Sequence, residues 1–119
     1  MRRIFLIFFI FLAGPAFAGL EWETKFREAR AEPADKSVSV VFPFRNTGAE
    51  TLAIAGIQTS CGCTSAKADC KEVPAGGTGS VQVRFDIGGR KGEQVKAVIV
   101  RTSDRETHKL ILRVLLPGR

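Results

Sequence analysis

The chain has 119 residues, with 18 Lys and Arg against 12 Asp and Glu and a net charge of +6. This length suits one domain and is too short for two. The basic residues are scattered along the sequence, so the pattern does not indicate a basic, aromatic-interleaved face for nucleic acid, and we expect no nucleic-acid partner.

The first 18 residues have the pattern of a secretory signal peptide. Two arginines precede an uncharged apolar run at residues 4–14, and Ala16 and Ala18 place small residues where a signal peptidase reads them. The run is about half as long as a membrane-spanning helix needs, which makes a retained anchor the weaker alternative. We expect cleavage near Ala18, a periplasmic or secreted domain at residues 19–119, and no stable membrane insertion afterwards. That domain carries 16 basic and 12 acidic residues, a net charge of +4.

Apolar residues of the remaining chain recur with a period of two, which is typical of half-buried strands. Clusters of Gly, Pro, Asn, Asp and Ser separate the alternating stretches, and no window has the apolar stripe of a three-turn helix. Pro43 inside one stretch predicts an edge position or a bulge there. The alternating stretches are residues 20–26, 38–44, 51–58, 81–87, 95–99 and 110–114.

Six or seven short strands at spacings of roughly ten residues predict an all-β fold, an immunoglobulin-like antiparallel β-sandwich of about seven strands. A closed barrel is the alternative, because period-two strands alone do not separate a barrel from two packed sheets. The side chains expected between the sheets are Trp22, Phe26, Val40, Phe42, Phe44, Ile54, Val83, Phe85, Ile99, Leu110 and Leu112.

Several short motifs together resemble one bacterial family. They are Phe42-x-Phe44-x-Asn46-x-Gly48, Leu52-x-Ile54, Ser60-Cys61-Gly62-Cys63-Thr64, Val81-x-Val83-x-Phe85, Arg90-x-Gly92 and Val98-x-Val100-x-Thr102-x-Asp104. In this order they resemble the bacterial domain of unknown function 1573 over nearly the whole domain. The resemblance implies an exported, immunoglobulin-like sandwich and no established activity. Of the three cysteines it covers Cys61 and Cys63, while Cys70 falls outside the family pattern.

Cys61, Cys63 and Cys70 are all disulfide candidates, and three cysteines in an exported domain leave one over. A Cys61–Cys63 bridge would close a very small ring that we expect to be strained and easily reduced, with Gly62 permitting the necessary bend. A bridge from Cys70 to either of the others closes an ordinary loop, worth about 2.5 kcal/mol for Cys63–Cys70. We expect Cys70 to pair with one of the two and to leave the other free.

The same three thiols, Cys61, Cys63 and Cys70, are the candidate metal ligands. Two or three thiolates suit Cu(I), which is the one cofactor that the sequence suggests; otherwise we expect none. Zn(II) prefers four ligands, and the only histidine, His108, lies far along the chain, where we expect a solvated strand residue. Thiol–disulfide exchange is a further alternative, although no predicted helix follows Cys63 to lower a thiol pKa.

No constellation of residues in the sequence points to a catalytic site. The acidic residues alternate with apolar ones or lie in turns, and a cysteine nucleophile would need a base where His108 is the only histidine. We therefore expect no enzyme and no catalytic residues. The sequence favours an exported, non-catalytic domain that binds an envelope protein or stabilises an envelope assembly, with open sheet edges available for strand addition. The alternative is a periplasmic Cu(I)-binding or thiol-redox domain centred on Cys61 and Cys63.

Overall fold

The computed structural model describes residues 19–117, so the predicted signal peptide lies outside the described residues. Within residues 19–117 no helix is long and apolar enough to cross a membrane. The described residues form nine strands: β1 (Leu20–Trp22), β2 (Phe26–Arg30), β3 (Ser37–Asn46), β4 (Leu52–Thr59), β5 (Thr64–Ala68), β6 (Glu72–Val73), β7 (Thr78–Asp86), β8 (Glu93–Thr102) and β9 (Thr107–Leu115).

The nine strands form two sheets, which confirms the predicted β-sandwich. The four-stranded sheet has the order β1-β3-β7-β5, and the five-stranded sheet has the order β2-β9-β8-β4-β6. Strands pair antiparallel except for β2, which runs parallel to β9. The strand number exceeds the predicted seven partly because the first alternating stretch is divided between the two sheets.

That division lies between Trp22 and Phe26. Trp22 is the last residue of β1 to pair with β3, and the chain then crosses to the other sheet, where Phe26 pairs with Ile111 of β9. The hydroxyl of Thr24 donates to the carbonyl of Phe26 over 3.0 Å at the crossing. Changing sheets resets the alternation, so Phe26 lies on the outer surface with 50% of it exposed. The prediction that Phe26 faces inward is therefore wrong.

The core otherwise follows the predicted alternation in β3, β7 and β9. Across β3 and β7, Val40 pairs with Val83 and Phe42 with Val81, while Phe85 pairs with Val38. Val40 and Ile54 are only partly buried at the margin of the core. Predicted core residues that the structure buries are Trp22, Phe42, Phe44, Val83, Phe85, Leu110 and Leu112.

Strand β8 has the opposite orientation to the prediction. The alternating stretch 95–99 was expected to place Ile99 in the core, but Val98 and Val100 are buried and Val95 is 56% exposed. Residues 97–100 are all apolar, so the sequence does not say which face is covered. Strand pairing determines which face of β8 is buried, because Val98 lies opposite buried Leu110 of β9.

His108 is buried, contrary to the expected solvated position. In β9 it lies opposite Val100 of β8. Its ring centroid is 5.7 Å from that of Trp22, and the Trp22 ring contacts Phe44 edge-on. Its Nε2 is 3.4 Å from the Thr102 hydroxyl. Burial lowers the pKa of His108, and the positive charge of Lys25 lowers it further, against the opposing carboxylates of Asp104 and Glu106.

Pro43 lies in β3 where the coverage by β1 ends. Glu23 N donates to Pro43 O over 3.0 Å just past the last β1 pair. In a strand the N and C=O of one residue point the same way, so the Pro43 nitrogen also faces the β1 side, where the ladder has ended. Farther along the same side, Arg27 Nε donates to Val41 O over 3.1 Å. Pro43 thus lacks only the N–H that would bond back to Glu23, at the point where this side of β3 becomes an edge.

We predict that Phe42→Ala and Phe85→Ala each lower the free energy of unfolding by about 3–5 kcal/mol, because each removes a fully buried ring and leaves a cavity. Phe26→Ala is the matched control and should change it by about 0.5 kcal/mol or less, as surface substitutions do. Chemical denaturation measures all three. A cost for Phe26→Ala equal to that of the others would mean that its ring is packed inside.

We predict that stability is intact above about pH 6.5 and falls as the pH drops below that value, because the folded state holds the pKa of His108 below its ordinary value of 6.5. The unfolded state then binds the proton more tightly, so acid favours unfolding. His108→Gln should flatten the dependence of the unfolding midpoint between about pH 7.5 and 5.5, a window in which no other ordinary side chain titrates. An unchanged slope in that variant would contradict the assignment to His108.

Candidate functional site

The Cys-Gly-Cys segment forms the connection between β4 and β5, residues 60–63, and so joins an edge of one sheet to an edge of the other. Ser60 N donates to Ala97 O over 3.1 Å, and Ala97 N donates to Ser60 Oγ over the same distance. On the other side, Asp86 N donates to Cys63 O over 2.8 Å. Backbone hydrogen bonds therefore hold both ends of the loop, one to each sheet.

Cys61 and Cys63 form a disulfide, with their Cα atoms 5.2 Å apart. Cys63 is buried, Cys61 is partly exposed, and Thr64 N donates to Cys61 O over 3.1 Å to close the turn. A Cβ on Gly62 would meet nothing within 4 Å, and Gly62 has no positive φ. The loop therefore does not need glycine to bring the two cysteines together, contrary to expectation.

Cys70 is a free thiol, so the prediction that it pairs with Cys61 or Cys63 is wrong. The reason is strand β5, whose five residues lie extended between Cys63 and Cys70 and alone span about 16 Å. Disulfides need Cα atoms within roughly 7 Å. The same separation keeps Cys70 away from the other two candidate metal ligands, and no group of three or more His, Cys, Asp or Glu within residues 19–117 is placed to hold a metal ion.

Cys70 has a packing role that its polar neighbours in sequence concealed. It is partly buried against the core, and a Cβ on Gly79 would lie 2.9 Å from its Sγ and 2.7 Å from the Phe44 ring. Burial raises the pKa of the Cys70 thiol, and a hydrogen bond to Asp69 and the charge of that carboxylate raise it further. Ser80 N donates to Asp69 Oδ1 over 3.0 Å and fixes this carboxylate. The thiol is therefore held protonated and fills space beside Gly79.

A groove runs along the side of the sandwich where the edges of β4 and β5 face each other. Strand β6 pairs only with Leu52 and Ala53 of β4, which leaves the rest of that edge uncovered by β6. The groove is shallow and open to solvent, with a volume of about 440 Å³. Its lining is apolar at the base and charged at the rim, and it consists of Ile54, Ile57, Ala66, Lys67, Ala68, Asp69, Cys70 and Lys71.

Backbone groups as well as side chains face this groove. Asp69 N donates to Ser80 O, and Cys63 O accepts from Asp86 N, so the odd-numbered residues of this segment bond to β7. Because alternate residues of a strand point their N–H and C=O groups to opposite sides, those of Ala66 and Ala68 point to the groove. The sequence alternation did not reveal this feature, since a groove depends on which edges the topology leaves side by side.

A larger concavity, of about 620 Å³, lies on the outer face of the four-stranded sheet. Polar and charged side chains such as Glu21, Glu23, Arg45 and Thr78 line it. None of these four side chains is arranged with another in a way that suggests chemistry. The groove and the disulfide loop are therefore the candidate functional features.

We predict that peptide mapping of the native protein, alkylated without reductant, finds Cys61 and Cys63 joined within one tryptic peptide and Cys70 alkylated. Cleavage after Lys67 separates Cys70 from the other two, so the pairings give different products. The peptide of Cys61 and Cys63 should weigh two hydrogens less than its reduced form. A cross-link between the two tryptic peptides would contradict this assignment and restore a bridge from Cys70.

Comparison with solved structures identifies domains of the same fold. A protein of unknown function from Porphyromonas gingivalis W83 has a TM-score of 0.72 at 15% identity; the match covers 97% of this chain and 55% of that one, so the chain spans about half of its length. A PapD-like domain of human CEP192 has a TM-score of 0.66 at 10% identity, with 91% and 92% covered. The periplasmic chaperone SfaE has a TM-score of 0.61 at 11% identity, with 84% and 58% covered. At these identities the likeness concerns the fold alone.

A comparison with curated proteins found no match. The family described as "Protein of unknown function (DUF1573)" matches residues 20–114, which is most of the chain and includes all nine strands except the last residue of β9. The chain therefore belongs to the DUF1573 family.

Proposed function

We propose that this chain is an exported, non-catalytic β-sandwich domain that binds an extended segment of another envelope protein in the groove between β4 and β5. The observation that carries the proposal is the combination, in one groove, of outward-facing backbone groups on β5 and a base of partly buried apolar side chains. Export rests on the signal-peptide pattern of residues 1–18.

Strand addition needs an edge whose N–H and C=O groups are accessible, and it gains affinity from main-chain hydrogen bonds. Ala66 and Ala68 offer such groups on β5, and their small side chains leave room above the strand. The five residues of β5 would pair with a segment of about five or six residues, since matched strands advance by the same rise. The edge is therefore short, which suits a specific contact better than unlimited sheet extension.

Side-chain specificity would come from the apolar base of the groove. Alternate residues of an added strand point to one face, so every second side chain would enter the space above Ile54, Ile57 and Ala68. These positions are partly buried already, so a ligand side chain would complete their burial. We therefore expect a partner segment with apolar residues at every second position.

The charge of the rim favours an acidic segment. Lys67 and Lys71 contribute two positive charges against the one carboxylate, Asp69, so these rim residues carry a net charge of +1. Complementary charge raises the rate of encounter and selects against basic partners. The name of one structural neighbour supports a protein-binding role in the periplasm, since SfaE is a periplasmic chaperone.

The proposal predicts that synthetic peptides with alternating Val and Glu bind the domain and that Ala66→Pro weakens this binding about tenfold or more. The substitution removes an N–H that faces the groove without touching the bonds to β7, and edge strands tolerate proline. Fluorescence anisotropy measures the affinity, and thermal unfolding shows whether the variant is folded. Ser65→Ala is the matched control, because its side chain lies outside the groove and its backbone bonds to β7.

Amide hydrogen exchange gives an independent reading of the same complex. Peptide binding should slow exchange at Ala66 and Ala68, whose N–H groups would enter the new ladder, and should leave Arg101 on the opposite sheet unchanged. A folded Ala66→Pro variant that binds as tightly as the natural sequence, or protection confined to other strands, would overturn strand addition at β5.

A further inference from the structure

The two cysteines of the disulfide differ in exposure. Cys63 is 8% exposed and packs in the core, while Cys61 is more exposed at the corner where residues 60–63 join the sheets. Thiol–disulfide exchange requires the incoming thiolate to reach one sulfur in line with the bond that breaks, so access decides which sulfur is attacked. An external thiolate therefore reaches Cys61 first.

The disulfide is not the element that holds this loop in place. It encloses a ring of only three residues, and the entropy that a cross-link removes from the unfolded chain is smallest for short loops. Backbone hydrogen bonds from Ser60 to Ala97 and from Asp86 to Cys63 already anchor the loop on both sheets. The fold can consequently keep the loop in position when the bridge opens.

The surroundings of Cys61 favour a thiolate once the bridge is open. Cys63 N donates to Cys61 Sγ over 3.1 Å, and a hydrogen bond of this kind strengthens when the acceptor becomes charged. Thr59, the last residue of β4, pairs with Val98, and Ser60 N donates to Ala97 O, so Lys96 is the next residue of β8 on the side of the disulfide loop. A neighbouring cation lowers the pKa of a cysteine.

Two cations mark the same corner of the sandwich. Lys96 Nζ and the guanidinium of Arg90 each lie 5.9 Å from the centroid of the Phe85 ring. Phe85 pairs with Thr64, the residue that follows Cys63. Both cations therefore lie over the ring that pairs with Thr64, next in sequence to the disulfide, while no helix N-terminus of the described residues does.

We propose that Cys61 and Cys63 form a thiol–disulfide exchange couple that accepts two electrons from a dithiol on an exported protein, with Cys61 as the sulfur attacked. The partner thiolate attacks Cys61 Sγ, the Cys61–Cys63 bond breaks, and Cys63 leaves as a thiolate 3.7 Å from the Thr64 hydroxyl. The partner's second thiolate then attacks its own sulfur in the mixed disulfide and releases Cys61. The partner gains a disulfide, and its two protons end on Cys61 and Cys63.

Electrostatics set the direction of this exchange. Interactions that stabilise the reduced form of a cysteine pair make its disulfide a stronger oxidant. The Cys63 amide favours the Cys61 thiolate, which exists only after the bridge opens or in the reduced pair, and the charge of Lys96, next to Ala97 in β8, would favour it as well. The couple therefore oxidises a partner dithiol more readily than the same sequence would as an unfolded peptide.

This inference goes beyond strand addition and does not depend on it. A small thiol such as glutathione reaches an exposed sulfur without occupying the groove. Failure of peptide binding would leave the exchange chemistry standing, and failure of exchange would leave the groove standing. Cys70→Ser removes the third thiol from the measurement and leaves Cys61, Cys63 and their surroundings unchanged.

The first experiment locates the attacked sulfur. Cys70→Ser protein, oxidised, is mixed with reduced glutathione, quenched with a thiol alkylator and mapped by mass spectrometry. We expect the glutathione adduct on Cys61 to exceed that on Cys63 by about tenfold or more, because Cys63 is buried. A synthetic peptide of residues 58–66 is the control and should show little preference. Equal adducts in the folded protein, adducts mainly on Cys63, or no exchange would each overturn the proposal.

The second experiment tests the electrostatics with matched variants. Lys96→Gln should shift the equilibrium with a glutathione redox buffer toward the disulfide by about two- to fivefold and should raise the pH at which reduced Cys61 begins to alkylate. Arg101→Gln removes a charge from the same strand, where the side chain bonds to Gln58 instead, and should change neither value. Equal effects of the two variants would overturn the assigned role of Lys96. Stoichiometric Cu(I) retention by a reduced pair that does not exchange would replace the redox proposal with metal binding.

Discussion

The buried side-chain amide of Asn46 holds together the end of the sandwich from which the groove begins. Its Nδ2 donates to Glu50 O over 2.8 Å and to Val73 O over 2.9 Å, and its Oδ1 accepts from Gly48 N over 2.9 Å. The residue is fully buried at the end of β3, in the four-stranded sheet, whereas Val73 belongs to β6 of the other sheet. Replacing such an amide by an apolar group would leave three backbone groups without a hydrogen-bond partner, and each unsatisfied group costs about 1–3 kcal/mol.

This hydrogen-bond network also determines how much of β4 is covered. By fixing Val73, Asn46 holds β6 against Leu52 and Ala53, so that the strand ends where the groove starts. The loop before β7 is tied to the same residue, because Gly76 N donates to Asn46 O over 2.8 Å and Asn46 N donates to Gly77 O. Gly76 has a φ of 77°, which explains why this loop carries glycine. Through its side chain and its backbone, Asn46 thus connects the two sheets, two turns and the end of the groove next to β6.

The sequence predicted the sandwich and most of its core because alternation is reliable where only one face of a strand is apolar. The inner face of β3 carries Phe42, Phe44 and Asn46 at alternate positions. Asn46, which the sequence suggested as part of a turn, therefore also belongs to the core. Alternation failed in β8, whose residues 97–100 are apolar on both faces, and at Phe26, beyond the change of sheet. In neither place was the wrong type of structure predicted. Both failures concern pairing partners, which a single sequence does not supply.

The cysteines show the same limit at the level of the site. Loop-length reasoning favours the bridge that closes the larger loop, and it treats the chain between two cysteines as flexible. Here Thr64–Ala68 is an extended strand, so the seven-residue separation holds Cys63 and Cys70 apart and cannot close as a flexible loop would. Burial of His108 and Cys70 was missed for a related reason, because polar neighbours in sequence belong to the opposite face of the strand or to the loop beside it.

Strand β5 is therefore the element through which both proposed activities are connected. One end begins at the disulfide loop, the other ends before Cys70, and its outward backbone groups line the groove between them. A segment added along β5 would extend toward residues 60–63, and its end would approach the corner that carries Cys61. Binding and exchange can then act on one partner, since holding a thiol near a disulfide raises its effective concentration without any change in the chemistry of the sulfurs. Cys70, beyond the far end of β5, cannot take part in such an exchange, because its thiol is protonated and packs beside Gly79. The asymmetry of the two ends gives the groove a direction, with the reactive sulfur at the start of β5 and an inert one beyond its end.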